Sequence, residues 1–323
     1  MASGREGPRK VLIGTAVRPM YGWFPPLGER LDVLAGILDE MAKQAARKYP
    51  ARRLDLMVLP ETAVWGAQGP PPVACVPLDG LVLEKMGAKA REYEAYVVIG
   101  MYLVEEGERY SNAAVILDRR GEPAGIYRKV FVVVDDKGLL EGGLQAGKDF
   151  PVFDCDFGRI GAQICYDMMF DDGWRALVRK GAEIVVWPTQ SPQTARPACR
   201  ALTHGYYVVS STWRDNAAIY EPTGMTAARV AGPGVLVHEI DLDYALLPWS
   251  AGLREGAAMR ERYGDRVGFN YYVAEDRGIF WSNDPAMPIR RMVAEAGFWE
   301  EHEQYERDRR RLDELRGGPP RLY

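Results

Sequence analysis

Arg159-Ile160-Gly161-Ala162-Gln163-Ile164-Cys165-Tyr166-Asp167-Met168-Met169-Phe170 is an apolar, strand-like run that stops on a thiol, with a helix expected soon after. A thiol at the carboxyl end of a buried strand, facing a turn, is well placed for nucleophilic work. Two earlier runs end in the same way. Met57-Val58-Leu59-Pro60 leads to Glu61, and Ile126-Tyr127-Arg128 leads to Lys129. In open α/β sheets, ligands gather outside the carboxyl ends of strands. An acid, an ammonium and a thiol at three such ends suggest a cysteine hydrolase that does without histidine.

Working outward, the pattern alternates. Strands are expected at Val11–Val17, Leu54–Pro60, Ala95–Val104, Ala113–Leu117, Ala124–Val130, Pro151–Phe153, Ile160–Cys165, Glu183–Trp187, Tyr206–Thr212, Thr226–Val230 and Gly234–Ile240. Helical spacing of apolar residues marks Glu29–Tyr49, Leu81–Tyr93, Trp174–Lys180 and Ala195–His204. Asp135 to Lys148 is polar and glycine-rich, which is loop composition. Strands alternating with helices and interrupted by strand pairs argue for α/β layers. We read residues 1–245 as one domain and 246–323 as a C-terminal extension, helical and at a subunit interface. Its helix, Trp299 to Arg316, sets Glu303 before Arg307 and Glu306 before Arg310 by one helical turn.

The 323 residues carry a formal charge of −4, with 47% hydrophobic and 27% charged residues. This balance does not point to nucleic acid or an anionic membrane surface. No apolar run approaches the roughly 18–20 residues that span a bilayer, and Met1 to Lys10 has no apolar signal core. A cytoplasmic protein is expected. Cys75, Cys155, Cys165 and Cys199 include no C-x-x-C pair, so zinc-site and thioredoxin-type spacings are absent. The histidines are three, His204, His238 and His302, which leaves little for a histidine base or an imidazole-bound metal. The other thiols are poorer nucleophiles. Cys75 lies in a proline-rich loop, Cys155 lies between Asp154 and Asp156, and Cys199 sits in the expected helix.

The flanks of the three residues resemble the nitrilase superfamily of carbon–nitrogen hydrolases. The matching stretches are Leu59-Pro60-Glu61, Tyr127-Arg128-Lys129-Val130 and Gly161-Ala162-Gln163-Ile164-Cys165-Tyr166-Asp167, followed by Trp174 to Thr189. The resemblance runs over roughly residues 10 to 240. It implies a four-layer α-β-β-α sandwich and a Glu-Lys-Cys triad. In that triad Cys165 is the nucleophile and Glu61 the general base. Lys129 is the oxyanion cation, helped by the backbone N–H of Tyr166. Glu141 matches a second glutamate that orients Lys129 or the substrate amide, although Asp135 and Asp136 share its loop. The chemistry is consistent with this. A thiol titrating near pH 8.5 needs a base or a cation to act at neutral pH. Neither a metal nor an organic cofactor is required.

The resemblance also bears on substrate. Cys165-Tyr166-Asp167 is similar to the amidase and carbamoyl-hydrolase branches, whereas true nitrilases continue Cys-Trp-Glu. Many carboxylate-reading relatives have arginine where this chain has Met169, and methionine cannot grip a carboxylate. Trp65, Phe131, Met169, Trp187 and Gln190 are the expected pocket residues. The expected activity is hydrolysis of a small-molecule amide or N-carbamoyl amide through a thioester. A nitrilase is the alternative within the enzyme class, and a catalytically silent binding protein is the alternative outside it. Relatives pair their sandwiches, so a homodimer or larger homo-oligomer is implied.

Overall fold

The computed structural model describes residues 7–20, 22–71 and 73–320. The described residues pack as two units, 11–240, and 241–320 together with 7–10.

In the larger unit the strands are β1 (Lys10–Val17), β2 (Leu56–Val58), β3 (Tyr96–Glu105), β4 (Arg109–Leu117), β5 (Pro123–Arg128), β6 (Val152–Asp154), β7 (Arg159–Ala162), β8 (Ile184–Thr189), β9 (Tyr207–Thr212), β10 (Asn216–Tyr220), β11 (Thr226–Ala231) and β12 (Gly234–Asp241). Four helices accompany them: α1 (Leu27–Lys48), α2 (Leu81–Tyr93), α3 (Asp172–Arg179) and α4 (Ala195–His204). The path of the sheet is β5-β4-β3-β2-β1-β9-β8-β7-β6. Its inner strands are parallel and its outer ones antiparallel. The two halves meet at a narrow seam, Val17 opposite Thr212.

Side-chain alternation accounts for the layers. Leu12, Met57, Val97 and Val115 pack with Leu34, Leu38 and Met86 of α1 and α2. Val185, Trp187 and Val208 pack with Trp174, Leu177 and Ala201 of α3 and α4. The residues in between, such as Ile13, Val98, Ile116, Ile160, Ile184 and Val209, have no exposed surface either. Each half of the sheet is therefore covered on both faces, by helices outside and by the other half inside. This is the expected α-β-β-α sandwich. The edges draw together as well. Gly125 of β5 lies against the Phe153 ring of β6, where an added Cβ would stand 2.2 Å from ring carbons.

The second unit differs from the helical extension that composition suggested. It holds β13 (Tyr244–Pro248), β14 (Val267–Tyr272) and β15 (Arg277–Ser282) in an antiparallel sheet, order β13-β15-β14. The helices α5 (Ala257–Tyr263), α6 (Ile289–Glu295) and α7 (Glu301–Arg316) accompany it. Leu247, Val267, Phe280 and Met292 share its core. These strands are only five or six residues long and show no sustained alternation of apolar and polar positions, a weak signal beside the long charged helix. The pairs expected along α7 are replaced by Arg307–Asp308, Arg311–Glu314 and Arg316–Asp313. The Arg307 guanidinium sits 4.9 Å from the centre of the Trp299 ring. Among the described residues, no helix is long and apolar enough to cross a membrane.

Gly100 of β3 marks where the sheet approaches the segment after β2. A Cβ there would stand 2.2 Å from the Pro60 carbonyl oxygen and 2.7 Å from Glu61 Cα. Backbone cannot yield as a side-chain tip can, so Gly100→Ala should cost about 1–3 kcal/mol. Urea denaturation should show a lower midpoint at unchanged slope; an unchanged midpoint would mean the Glu61 segment is free to move.

Candidate active site

Glu61, Lys129, Glu141 and Cys165 converge outside the carboxyl ends of β2, β5 and β7. The Lys129 ammonium is 1% exposed. Its Nζ lies 3.2 Å from Glu61 Oε1 and is paired with Glu141 Oε1. Asn112 of β4 ties the two acids together, its Nδ2 donating to Glu61 Oε1 at 2.9 Å and to Glu141 Oε2 at 3.1 Å. Glu61 Oε2 accepts the Gln190 N–H at 3.0 Å. Asp135 does not compete with Glu141. Its carboxylate accepts the N–H groups of Lys137 and Leu139 and closes its own turn.

Burial works against the charge on Lys129, but Glu61, Glu141 and Cys165 together carry its pKa well above the ordinary lysine range. The charged form is the favoured one. Burial, followed by the Glu61 charge, pushes the Cys165 thiol up to about 12, while Lys129, the Thr189 side chain and the Gln190 N–H act in the opposite sense. The resting cluster is two carboxylates, one ammonium and a neutral thiol. A thiol beside a carboxylate can lose its proton in the same event as attack, and the ammonium can meet the negative charge that attack creates.

Three of the segments are strained. Thr62, Glu141 and Cys165 all have positive φ, at 47°, 43° and 42°, costing on the order of 1–3 kcal/mol each. Specific bonds hold them. Asp167, fully buried, accepts from Ile164 N–H and Tyr127 hydroxyl on Oδ2, and from Phe131 N–H on Oδ1, all at 2.8 Å. It thereby joins the Cys165 turn to the Lys129 strand. Arg30 of α1, also fully buried, donates to the carbonyls of Ala63 (2.6 Å), Trp23 (2.7 Å) and Thr62 (3.3 Å). Burial lowers its pKa to about 10, and it clamps the backbone after Glu61. Trp213 Nε1 donates to the Glu61 carbonyl at 2.6 Å.

The remaining expected residues divide. The N–H of Tyr166 falls in the first turn of the 3-10 helix Cys165–Met169, where such groups lack intrahelical acceptors. The Tyr166 ring meets Phe170 edge-on, and Phe131 stacks on Phe170 at 4.0 Å. Met169 is 37% exposed. Trp65 and Gln190 line a hollow beside Glu61. Trp187 is a correction. It has no exposed surface and packs in the core against α3 and α4, with its indole N–H donating to the Cys165 carbonyl at 3.1 Å. A strand residue facing the helices cannot also line a pocket beyond the strand end.

Asn112, Asp167, Arg30 and Trp213 were missed by sequence reasoning. The available signal was a polar residue inside an otherwise buried run, as in Tyr110-Ser111-Asn112-Ala113. Among the described residues, no group of three or more His, Cys, Asp or Glu side chains is arranged to hold a metal ion.

Fold and site together define a hydrolase of the C–N bond class. The chain belongs to the carbon–nitrogen hydrolase family, whose model matches residues 29–246, and so acts on non-peptide C–N bonds. It is 27% identical to the deaminated glutathione amidase of Bos taurus over 64% of this chain and 71% of that one. It is 27% identical to an omega-amidase of Xenopus laevis over 78% and 94%. The crystal structure of a carbon–nitrogen hydrolase from Helicobacter pylori G27 superposes with a TM-score of 0.62 at 19% identity, covering 73% of this chain and 90% of that one.

Burial raises the Asp167 pKa to about 6, above the roughly 3.9 of an unfolded aspartate. Between these values the folded chain binds the extra proton. This group therefore favours folding increasingly as pH falls through 6, and opposes it above. Protonation also removes an acceptor from the Cys165 turn. Activity should drop below about pH 6 while the protein stays folded, and Asp167→Asn should lower the plateau and flatten that limb. A pH–rate profile with parallel circular dichroism checks this; an acid limb unchanged in Asp167→Asn would assign it elsewhere.

Proposed function

We propose that this protein is a cysteine amidase, cleaving a small-molecule carboxamide or N-carbamoyl amide. The observation that carries the proposal is the single buried cluster in which Lys129 bridges Glu61 and Glu141 beside the Cys165 thiol. Glu61 takes the thiol proton as Sγ bonds to the carbonyl carbon. Lys129 and the Tyr166 N–H stabilise the oxyanion, which is worth about 2.7–4 kcal/mol for one such donor. As the carbonyl re-forms, the C–N bond breaks. Glu61 returns the proton to the nitrogen, and ammonia or an amine leaves. Water then attacks the thioester, losing its proton to Glu61. The acid departs, and that proton restores the thiol. Glu141 keeps Lys129 aimed, and Asn112, donating to both acids, holds them in register with it. The amidase names of the relatives support this reading.

Release of ammonia or amine should be measured from primary amides, N-carbamoyl compounds and nitriles. The amide or carbamoyl arm should respond, and Cys165→Ala should reduce turnover on the order of 10⁴-fold or more with the fold intact. Lys129→Met should fold less stably, because it leaves Glu61 and Glu141 unpaired. A response confined to nitriles, or activity retained in Cys165→Ala, would reject the proposal. The family resemblance carries a homodimer with it, which light scattering tests.

A further inference from the structure

Gly22, Phe24, Trp65, Gln68, Gln190 and Trp213 enclose a hollow of about 290 Å³. It adjoins the reacting groups through two residues. The Gln190 N–H donates to Glu61 Oε2 and also favours the thiolate of Cys165. The Trp213 indole donates to the Glu61 carbonyl. Its walls are held by aromatic packing. Trp65 meets Phe24 edge-on at 5.1 Å and Tyr102 at 4.7 Å, and its own N–H is taken by the Ala67 carbonyl. Among the described residues the lining contains three aromatic rings and two neutral amides, and no charged side chain.

Resting on the amidase reading, we propose that this hollow receives the acyl substituent of the substrate and that the substituent is uncharged and apolar, a phenylalkyl or branched alkyl group. Size supports this. An apolar cavity of roughly 150 Å³ accepts benzene, so about 290 Å³ leaves room for a ring and a short chain. Charge supports it independently. A substrate carboxylate would enter beside two acids balanced by one ammonium, and the hollow offers it no cation. Leaving it desolvated and unpaired is costly. An ammonium group would find no carboxylate among the described lining side chains to pair with. Met169 and the Phe131–Phe170 stack extend the same character on the Cys165 side.

The test uses three primary amides of similar length: phenylbutyramide, glutaric monoamide and aminobutyramide. Wild type should show kcat/KM for phenylbutyramide at least about tenfold above both charged amides, the scale of discrimination that apolar pockets reach. Phe24→Ala should reduce that preference mainly through KM. Gln68→Arg, at an exposed position, should shift it at least about tenfold toward glutaric monoamide by supplying the missing cation. Preference for either charged amide in wild type, or a preference unmoved in both variants, overturns the assignment. Calorimetric titration of Cys165→Ala with the same amides separates the two readings. Selective binding of phenylbutyramide without wild-type turnover would sink the amidase reading and uphold the hollow. Equal or absent binding of all three would sink the hollow whatever the turnover.

Discussion

The buried ammonium of Lys129 is the constraint on which the rest of this structure depends. Removing such an ion from water costs several kcal/mol even after relaxation, and only carboxylates at close range offset it. Glu61 and Glu141 do so from two different loops, and Asn112 donates to both. The ammonium thus specifies where two loops must end. The sandwich meets this demand by bringing the carboxyl ends of β2, β5 and β7 to one place. The closure of its edges, with Gly125 against Phe153, keeps β5 and its Lys129 near the half of the sheet that carries Cys165.

That arrangement is reached against local preference. Thr62, Glu141 and Cys165 stand in a backbone region that residues with side chains rarely occupy, and each belongs to a segment that contributes to the cluster. Strain of this kind persists only where surroundings over-determine it. Here they do. Arg30 fixes the carbonyls after Glu61, Asp167 ties the Cys165 turn to Phe131, and Trp187 holds the Cys165 carbonyl. None of these groups need touch a substrate. Arg30 shows the logic most plainly, because it has no carboxylate partner among its described bonds, and it spends its donors on backbone carbonyls.

Most of the larger unit was legible in the sequence because buried parallel strands read as continuous apolar runs. Leu81–Tyr93 and Ala195–His204 were expected with the same bounds that the structure shows. Glu61, Lys129 and Cys165 were legible because each follows an apolar run, whereas Glu141 was reached only through the family resemblance, since loop composition does not separate it from Asp135 and Asp136. The illegible parts share a cause, which is that they depend on the partner rather than the residue. Asn112 was hidden at the start of a strand, as β4 begins at Arg109 rather than Ala113. Trp187 was assigned to a pocket because its strand ends beside the site, but alternation turns its ring to the helices. β10 is absent from the expected strands because Asn216–Tyr220 is only five residues long and follows directly on β9. The sheet of the second unit was overshadowed by the charge pattern of α7.

The electrostatics of the cluster also determine what kind of nucleophile it can hold. A thiol pushed up to about 12 by burial and the Glu61 charge is neutral at pH 7. Cysteine–histidine enzymes instead keep a preformed thiolate beside an imidazolium. Here the cation is already committed to two carboxylates, and the adjacent Glu61 charge disfavours a second anion at sulfur. On the proposed mechanism, deprotonation therefore becomes favourable only when the proton moves onto Glu61. That step neutralises one of the two acids and releases part of Lys129 toward the developing oxyanion. On the proposed reading, proton transfer and charge stabilisation are one event: each makes the other affordable, and a substrate carbonyl must be in place for either to occur. The proposed uncharged acyl pocket fits this scheme, because it adds no field of its own to a balance set by three charges.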